Sequence, residues 1–374
     1  MATAADENWA ILLSLLPPEW AQLAAQSGAV ERLRGFASIE AVLRTLLLHV
    51  GRGYSLRETA VQARLAGLAE VSDVTVLNRL RQAETWWHEL CQQLLRERGV
   101  AFPPRPAQRR VRVLDGSLVK EPGRTGSQWR VHYSLQLPSL LCDHLSVTAI
   151  RGRGTAEVLY RFPAAAGDLV LADRVYCTPV GVEELRRQQA DVIVRWRSST
   201  LPLYTAEGDP FDLLPALGSL QEAGPPGEWA VTIRGPAQVI AGRICAIRKS
   251  ETATRRAQRK IRRKAQQGGP QTKPSTLAYA AYVIVFSTVA ETELSTAQVL
   301  NWYRSRWQIE LVFKRMKSLA QLGHLPKHED GSSRAWLYGK LLVVLLTEKL
   351  IQMGRSISPW GYLLPEEGQR QPVA

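Results

Sequence analysis

The sequence predicts an α/β protein: an all-α N-terminal unit, then a mixed core interrupted by a β-rich insertion. Three observations carry this reading. Residues 7–100 hold apolar positions at helical spacing, punctuated by Pro17-Pro18 and the Gly51-Arg52-Gly53 turn. A Pro-rich, basic stretch, FPPRPAQRR, then ends that pattern near residue 108. Beyond it, short apolar runs alternate with helical segments, as a sheet with covering helices requires. The expected units are 1–108, a core in two parts at 109–197 and 278–374, and an insertion at 198–277, with no internal repeat.

Within the first unit, residues 55–83 predict a helix capped by Ser55 with Glu58 at the capping-box position, a break at Gly67, and a second helix after Ser72-Asp73. Such a pair fits a helix-turn-helix that presents Arg79 and Arg81 to DNA, although a plain helical hairpin shows the same pattern. Trp86 and Trp87 read as packing residues.

After the linker, residues 111–119 (VRVLDGSLV) predict a buried strand, and Asp115 stands inside its apolar run. A carboxylate there is costly unless it is paired or bound to metal. Strands at 131–137 and 145–150 complete an antiparallel meander, with Cys142-Asp143-His144 in the turn between them. A short helix is expected over 155–162, then a strand at 168–175 (DLVLADRV) with Asp173 at its C-terminal end. A helix over 179–190 and a strand at 191–197 follow. Strand, helix, strand predicts a parallel pair with a right-handed crossover, and ligands gather where such strands end. Asp115 and Asp173 are thus candidates for one site.

The insertion carries short strands at 229–233 and 239–247, then a basic run at 248–264 that includes Arg255, Arg256, Arg259, Lys260, Arg262 and Arg263. Such a run is either a solvated face or a phosphate-binding one. A strand at 280–289 restores the core, Ser295 caps the next helix, and that helix is expected to carry Glu310. His324 and His328 have metal-like spacing, but Pro326 stands between them and no third ligand is apparent.

Composition narrows the partners. With Lys+Arg 48 against Asp+Glu 34, the net charge is +14, and the pI is about 9.9. That balance favours a polyanion, nucleic acid before a membrane surface. The four cysteines are far apart and form no CxxC pair, which suggests neither a disulfide framework nor a zinc site and suits a reducing cytoplasm. The N-terminus lacks the basic region of a signal peptide, and the apolar segment at 335–351 is interrupted by Lys340, Glu348 and Lys349. No membrane role is expected.

The sharpest signal is the stretch YRSRWQIELVFKRMK at 303–317. On one continuous helix, Tyr303, Arg306, Glu310, Lys314 and Lys317 would share an arc of roughly 80°, placing one carboxylate among a phenol and three cations. An amphipathic surface helix gives similar charge pairs. Three carboxylates, Asp115, Asp173 and Glu310, are the minimum equipment for two divalent ions, Mg²⁺ or Mn²⁺, about 3.5–4 Å apart.

The spacing Tyr-x2-Arg-x3-Glu-x6-Lys resembles the YREK signature of bacterial DDE transposases of the insertion-sequence-four family. Asp115 in VLDGS and Asp173 in LADRVY look like that family's two aspartates, and the resemblance covers roughly residues 50–345. It implies a ribonuclease H-like core, a catalytic triad of Asp115, Asp173 and Glu310 that also holds the metal, and a homodimer on double-stranded DNA. It further implies cytoplasmic, nucleoid-associated work: binding terminal inverted repeats, cleaving at the element's ends and joining the 3′-hydroxyls to target DNA. Relatives that pass through a DNA hairpin stack an extruded base on an aromatic ring. Trp229, starting a strand after a Gly-Pro-Pro-Gly turn, is the first candidate and Trp196 the second. One departure is the spelling Asp-Gly-Ser where Asp-Ser-Thr or Asp-Thr-Thr is usual. The competing readings are a structure-specific nuclease of the same fold and a non-catalytic, transposase-derived DNA-binding protein.

Overall fold

A computed structural model describes residues 9–101, 109–120, 128–267, 272–323, 325–326 and 329–355. The expected boundary at 108 and both His324 and His328 lie outside the described residues. The helical stretch opens with α1 (Trp9–Leu15), α2 (Trp20–Gln26) and α3 (Ile39–Arg52). The hydroxyl of Ser38 accepts the Ala41 amide to start α3, and Gly53 ends it in the left-handed region at φ 76°. Ser55 likewise caps α4 (Leu56–Leu65) through the Glu58 amide. Gly67 then supplies the positive φ that turns the chain towards α5 (Asp73–Ala101).

Trp86 and Trp87 on α5 are fully buried, as packing residues should be. Trp87 lies against Gly339 of the C-terminal helix α12 (Asp330–Arg355), where an added Cβ would come within 1.8 Å of the indole. That glycine lets two long helices approach ring to backbone. Arg98 of α5 donates to the Leu345 carbonyl and to Glu348, both at 2.7 Å, tying the helices again. The helical stretch therefore shares one core with the rest of the chain.

The centre is a mixed eight-stranded sheet, among the described residues, in the order β3-β2-β1-β4-β5-β8-β7-β6. Its strands are β1 (Val111–Lys120), β2 (Gln128–Leu137), β3 (Leu141–Ala149), β4 (Leu169–Ala172), β5 (Asp191–Arg195), β6 (Gly227–Arg234), β7 (Val239–Arg248) and β8 (Tyr282–Ser287). The first three form the expected meander, with β1, β4 and β5 parallel. The crossover from β4 to β5 runs through α6 (Pro179–Arg187), capped by Thr178 with Pro179 in its first turn.

Three expectations are corrected here. The insertion is no separate body, because β7 pairs antiparallel with β8 and β6 with β7, so they widen the same sheet. Cys142, Asp143 and His144 lie in β3 rather than a turn, and the helix expected over 155–162 shrinks to a single 3-10 turn, Leu159–Arg161. Strand pairing across long sequence separations decided the first, which local pattern does not encode.

Alternation assigns each strand residue to a face. Val113, Leu171, Ile193 and Val285 meet α5, α12 and two helices, α10 (Thr296–Ser305) and α11 (Trp307–Ser318), on what we term the front. Leu114, Ala172, Val194 and Phe286 face the back. There they pack with α6 and with α7 (Leu213–Leu217), near α9 (Pro274–Tyr279). The basic helix α8 (Glu251–Gln266) buries no residue.

Candidate active site

The parallel register of β1 and β4 ends at Leu114 opposite Ala172. Asp115 and Asp173 follow immediately, where the parallel pairing stops: Asp115 in the middle of β1, which runs on beside β2, and Asp173 just past the C-terminal end of β4. Both point to the front, since Val113 and Leu171 do. Asp115 Oδ1 accepts the Gly116 amide at 2.8 Å. Burial pushes the Asp115 carboxyl up to about 6, opposed by that amide and by Arg306 and reinforced by the charges of Asp173 and Glu157.

Glu157 is a fourth carboxylate that sequence reasoning missed, for it arrives on an irregular stretch after β3 with no motif around it. It pairs with Arg130 at 3.4 Å on the back face, and burial raises its pKa. A Cβ at position 116 would fall 2.5 Å from Glu157 Oε1. The spelling Asp-Gly-Ser thus has a local cause: the space a larger residue would need is held by this carboxylate.

The stretch 303–317 is not one continuous helix. It breaks at Arg306, where Arg306 N–H bonds Tyr303 O at 3.1 Å and Ile309 N–H bonds Arg306 O at 3.3 Å, the tighter i to i+3 pattern. Tyr303 therefore lies in the last turn of α10, while Glu310, Lys314 and Lys317 share α11. Ile309, Phe313 and Met316 bury the other side of α11. At the break, the Arg306 guanidinium donates to Glu310, lies 3.8 Å from Asp115 Oδ2, and has its Cζ 6.0 Å from the centre of the Tyr303 ring. One arginine thus links first carboxylate, third carboxylate and phenol. Glu310 is 58% exposed, and Lys314 and Lys317 are exposed beyond it.

Arg195, at the end of β5 on the same face, is a second residue the sequence did not flag, since it hides in the apolar run DVIVRWR. It donates to Tyr282 O at 3.1 Å, and burial lowers its pKa, with Tyr303, Arg174 and Asp173 nearby. Burial, then Arg195 and Arg174, push Lys249 down to about 8. The pairing of Val194 with Ala172, one residue before Arg195 and Asp173, is the signal that locates Arg195 at the site.

Two expected contacts fall elsewhere. Arg79 is 7% exposed, its guanidinium spent on the carbonyls of Ala29, Arg32 and Leu33 and on Gln82, so it is a structural cation rather than a presented reader. Arg81 is exposed and pairs with Glu329 at 3.1 Å. Both line a recess of about 420 Å³ with exposed Arg32 and Arg34. Trp229 is half-buried on edge strand β6 and packs against the back-face core, as does Trp196. The carboxylates face front, and β6 lies four strand spacings, about 19 Å, from β4. Trp229 therefore does not reach the carboxylate edge. The exposed cations Arg255, Arg256, Arg259, Lys260, Arg262 and Arg263 all sit on α8.

The donors at the edge are carboxylate oxygens, the chemistry hard divalent cations take. Their mutual charge already draws Arg306 between Asp115 and Glu310, so the residues suit a cation in kind. Among the described residues no three His, Cys, Asp or Glu side chains converge enough to enclose one; Glu310 is paired with Arg306 and 58% exposed.

Comparison with known proteins finds relatives along nearly the whole chain. The transposase for insertion sequence element IS421 of Escherichia coli is 32% identical over 362 residues, covering 94% of this chain and 96% of its own. InsL of insertion sequence element IS186A, from Escherichia coli strain K12, is 32% identical over 361 residues with the same coverage. A shorter match, 31% over 71 residues, reaches the transposase for IS1151 of Clostridium perfringens. Residues 106–346 match the transposase DDE domain, and the chain belongs to that family.

Proposed function

We propose that this chain is a cut-and-paste DNA transposase of the insertion-sequence-four type, built on a ribonuclease H-like core, with Asp115, Asp173 and Glu310 as its catalytic carboxylates. The observation that carries the reading is that Asp115 and Asp173 each directly follow the last paired residues of β1 and β4, Leu114 and Ala172, with Arg306 linking Asp115 to Glu310. The three carboxylates would hold Mg²⁺ or Mn²⁺, two ions per site. Such ions lower the pKa of an attacking water and stabilise the leaving oxygen of a phosphodiester.

The protein's own part is positioning. Glu310 stands in the first turn of α11 and is free to turn inward once Arg306 releases it. Arg306 is then available to a phosphate oxygen, with Lys314 and Lys317 extending the same grip along α11 and Tyr303 donating to the backbone. A guanidinium that neutralises carboxylates in the absence of substrate keeps the acidic edge folded and yields when a stronger set of charges arrives. The terminal inverted repeat is contacted by Arg81 together with Arg32 and Arg34 at the recess beside α5. Double-stranded DNA is bound by a homodimer, each protomer acting on one end. A structure-specific nuclease would share the cleavage chemistry but leave the 3′-hydroxyls unjoined.

The decisive experiment incubates the purified protein with duplexes bearing the repeats that bracket its gene, with and without Mg²⁺ or Mn²⁺. Metal-dependent cleavage at the repeat boundary followed by joining to a plasmid supports the proposal. Cleavage without joining supports the nuclease, and binding without cleavage sinks the enzymatic reading altogether.

A further inference from the structure

Helix α8 presents a dense run of cations to solvent. Its sequence, ETATRRAQRKIRRKAQ, places seven cations on sixteen residues, and Ser250 caps its start. A narrow stripe of half-buried Thr254, Gln258 and Ile261 lies against the body, with Gln258 donating to Leu277 O at 3.1 Å. At 100° per residue the cations cover the opposite roughly 200° of the helix. Arg255 is paired, with Glu251 of the same helix. The rest form a one-sign surface whose self-repulsion falls when an anion lies on it.

Register fixes where this surface sits. Arg195 of β5 pairs with Val285 of β8, Val285 with Cys245 of β7, and Arg248 at the end of β7 with Tyr282. The chain therefore leaves β7 for α8 at the same end of the sheet as Asp173, about three residues or 10 Å beyond it. The α5 recess belongs to that end too. Arg81 holds Glu329 at the start of α12, and Leu325 N–H bonds Lys120 O at the end of β1, five positions past Asp115. Along the sheet order the recess lies on the β1–β2 side and α8 on the β8–β7 side, with the carboxylates between.

We infer that α8 binds the phosphate backbone of duplex DNA beyond the element's end, the flanking or target duplex, on the opposite side of the carboxylates from the terminal repeat. This deepens the function proposed above and rests on it. The chemistry of the helix favours that partner: a dense one-sign run of guanidinium and ammonium groups suits the evenly spaced phosphates of a duplex, contacts that hold it without reading its sequence. Flanking and target DNA have no fixed sequence, whereas a terminal repeat does.

The test measures fluorescence anisotropy near 0.1 M salt with two duplexes, one ending flush at the terminal repeat and one continuing for about twenty base pairs of arbitrary sequence. The protein carries Arg259→Ala, Lys260→Ala, Arg262→Ala and Arg263→Ala together, exposed positions whose loss leaves the core intact; should melting temperature fall, the pair Arg259→Ala and Arg263→Ala replaces it. The expected result is that the parental protein prefers the extended duplex, and that the variant loses at least about tenfold in affinity for it. Its salt slope should drop by up to about three or four, while flush-duplex affinity stays within about twofold. Equal losses on both duplexes, no loss on either, or no parental preference for the extension overturns the inference. Parental protein that binds neither duplex overturns the proposed function itself.

Discussion

The front and back faces of the sheet are woven from the same strands and differ by a single residue of phase. On the front, Asp115, Asp173 and Arg195 follow Val113, Leu171 and Ile193 into the space before α10 and α11. On the back, His132 lies beneath Phe162, its ring centroid 6.3 Å away, and Trp229 packs beside the core of α6 and α7. At the front edge Arg306 is shared between Asp115 and the 58% exposed Glu310, a pairing that a new charge can exchange. The back seals its polar groups inside, where they oppose change. Chemistry should therefore answer to front-face substitutions and stability to back-face ones.

The largest effect that could break this division is chemical. Asp115→Asn or Asp173→Asn should lower end cleavage by at least about 10²- to 10³-fold, the scale of losing a charge aimed at the reacting centre, with little change in melting temperature. A variant that cleaves at the parental rate would remove its residue from the triad. Next, Gly339→Ala should cost about 1–3 kcal/mol by overpacking against Trp87, measured by urea unfolding. It lies on the front but remote from the carboxylates, so an unaltered rate in the folded fraction sharpens the distinction between facing the front and occupying its edge.

The back face should reveal itself through pH. Burial lowers the His132 pKa to about 3 from an ordinary value near 6.5. The unfolded chain takes up a proton below that ordinary value while the folded protein refuses it. Stability is thus full above pH 6.5 and falls as pH drops towards 3, by about 1.4 kcal/mol per unit for this one group. His144, also lowered by burial, to about 4, steepens the same limb. Urea midpoints between pH 7 and 5 should show it, and a His132→Gln variant should flatten the slope; an unchanged slope would mean that the histidine takes up its proton equally in the folded and unfolded chain. The smallest effect concerns Trp229→Leu: every cleavage step should stay within about twofold of parental, and a slowed later step would place this ring at the active edge after all.

Much of this division was readable in advance. The runs around Asp115 and Asp173 announced buried strands, one with its acid inside and one with its acid at the end, and the charges of 303–317 announced helix, though not its division in two. What stayed hidden was decided at long range. Arg79 looks like a presented reader until carbonyls 46 to 50 positions earlier claim it. The alternation of Trp229, Val231 and Ile233 told that they share a face, but only the pairing of β6 to β7 and β7 to β8 told which face that was. The break at Arg306 carries no Pro or Gly to mark it.

The contact between Gly116 and Glu157 couples two positions 41 residues apart that local motif reading treats as independent. A serine placed at 116 would meet the Glu157 carboxylate, which already leans on Arg130, so that side chain would have to turn aside to make room. Substitutions at 116 and 157 should therefore be read as a pair, and the motif's second letter is written partly from the far side of the sheet.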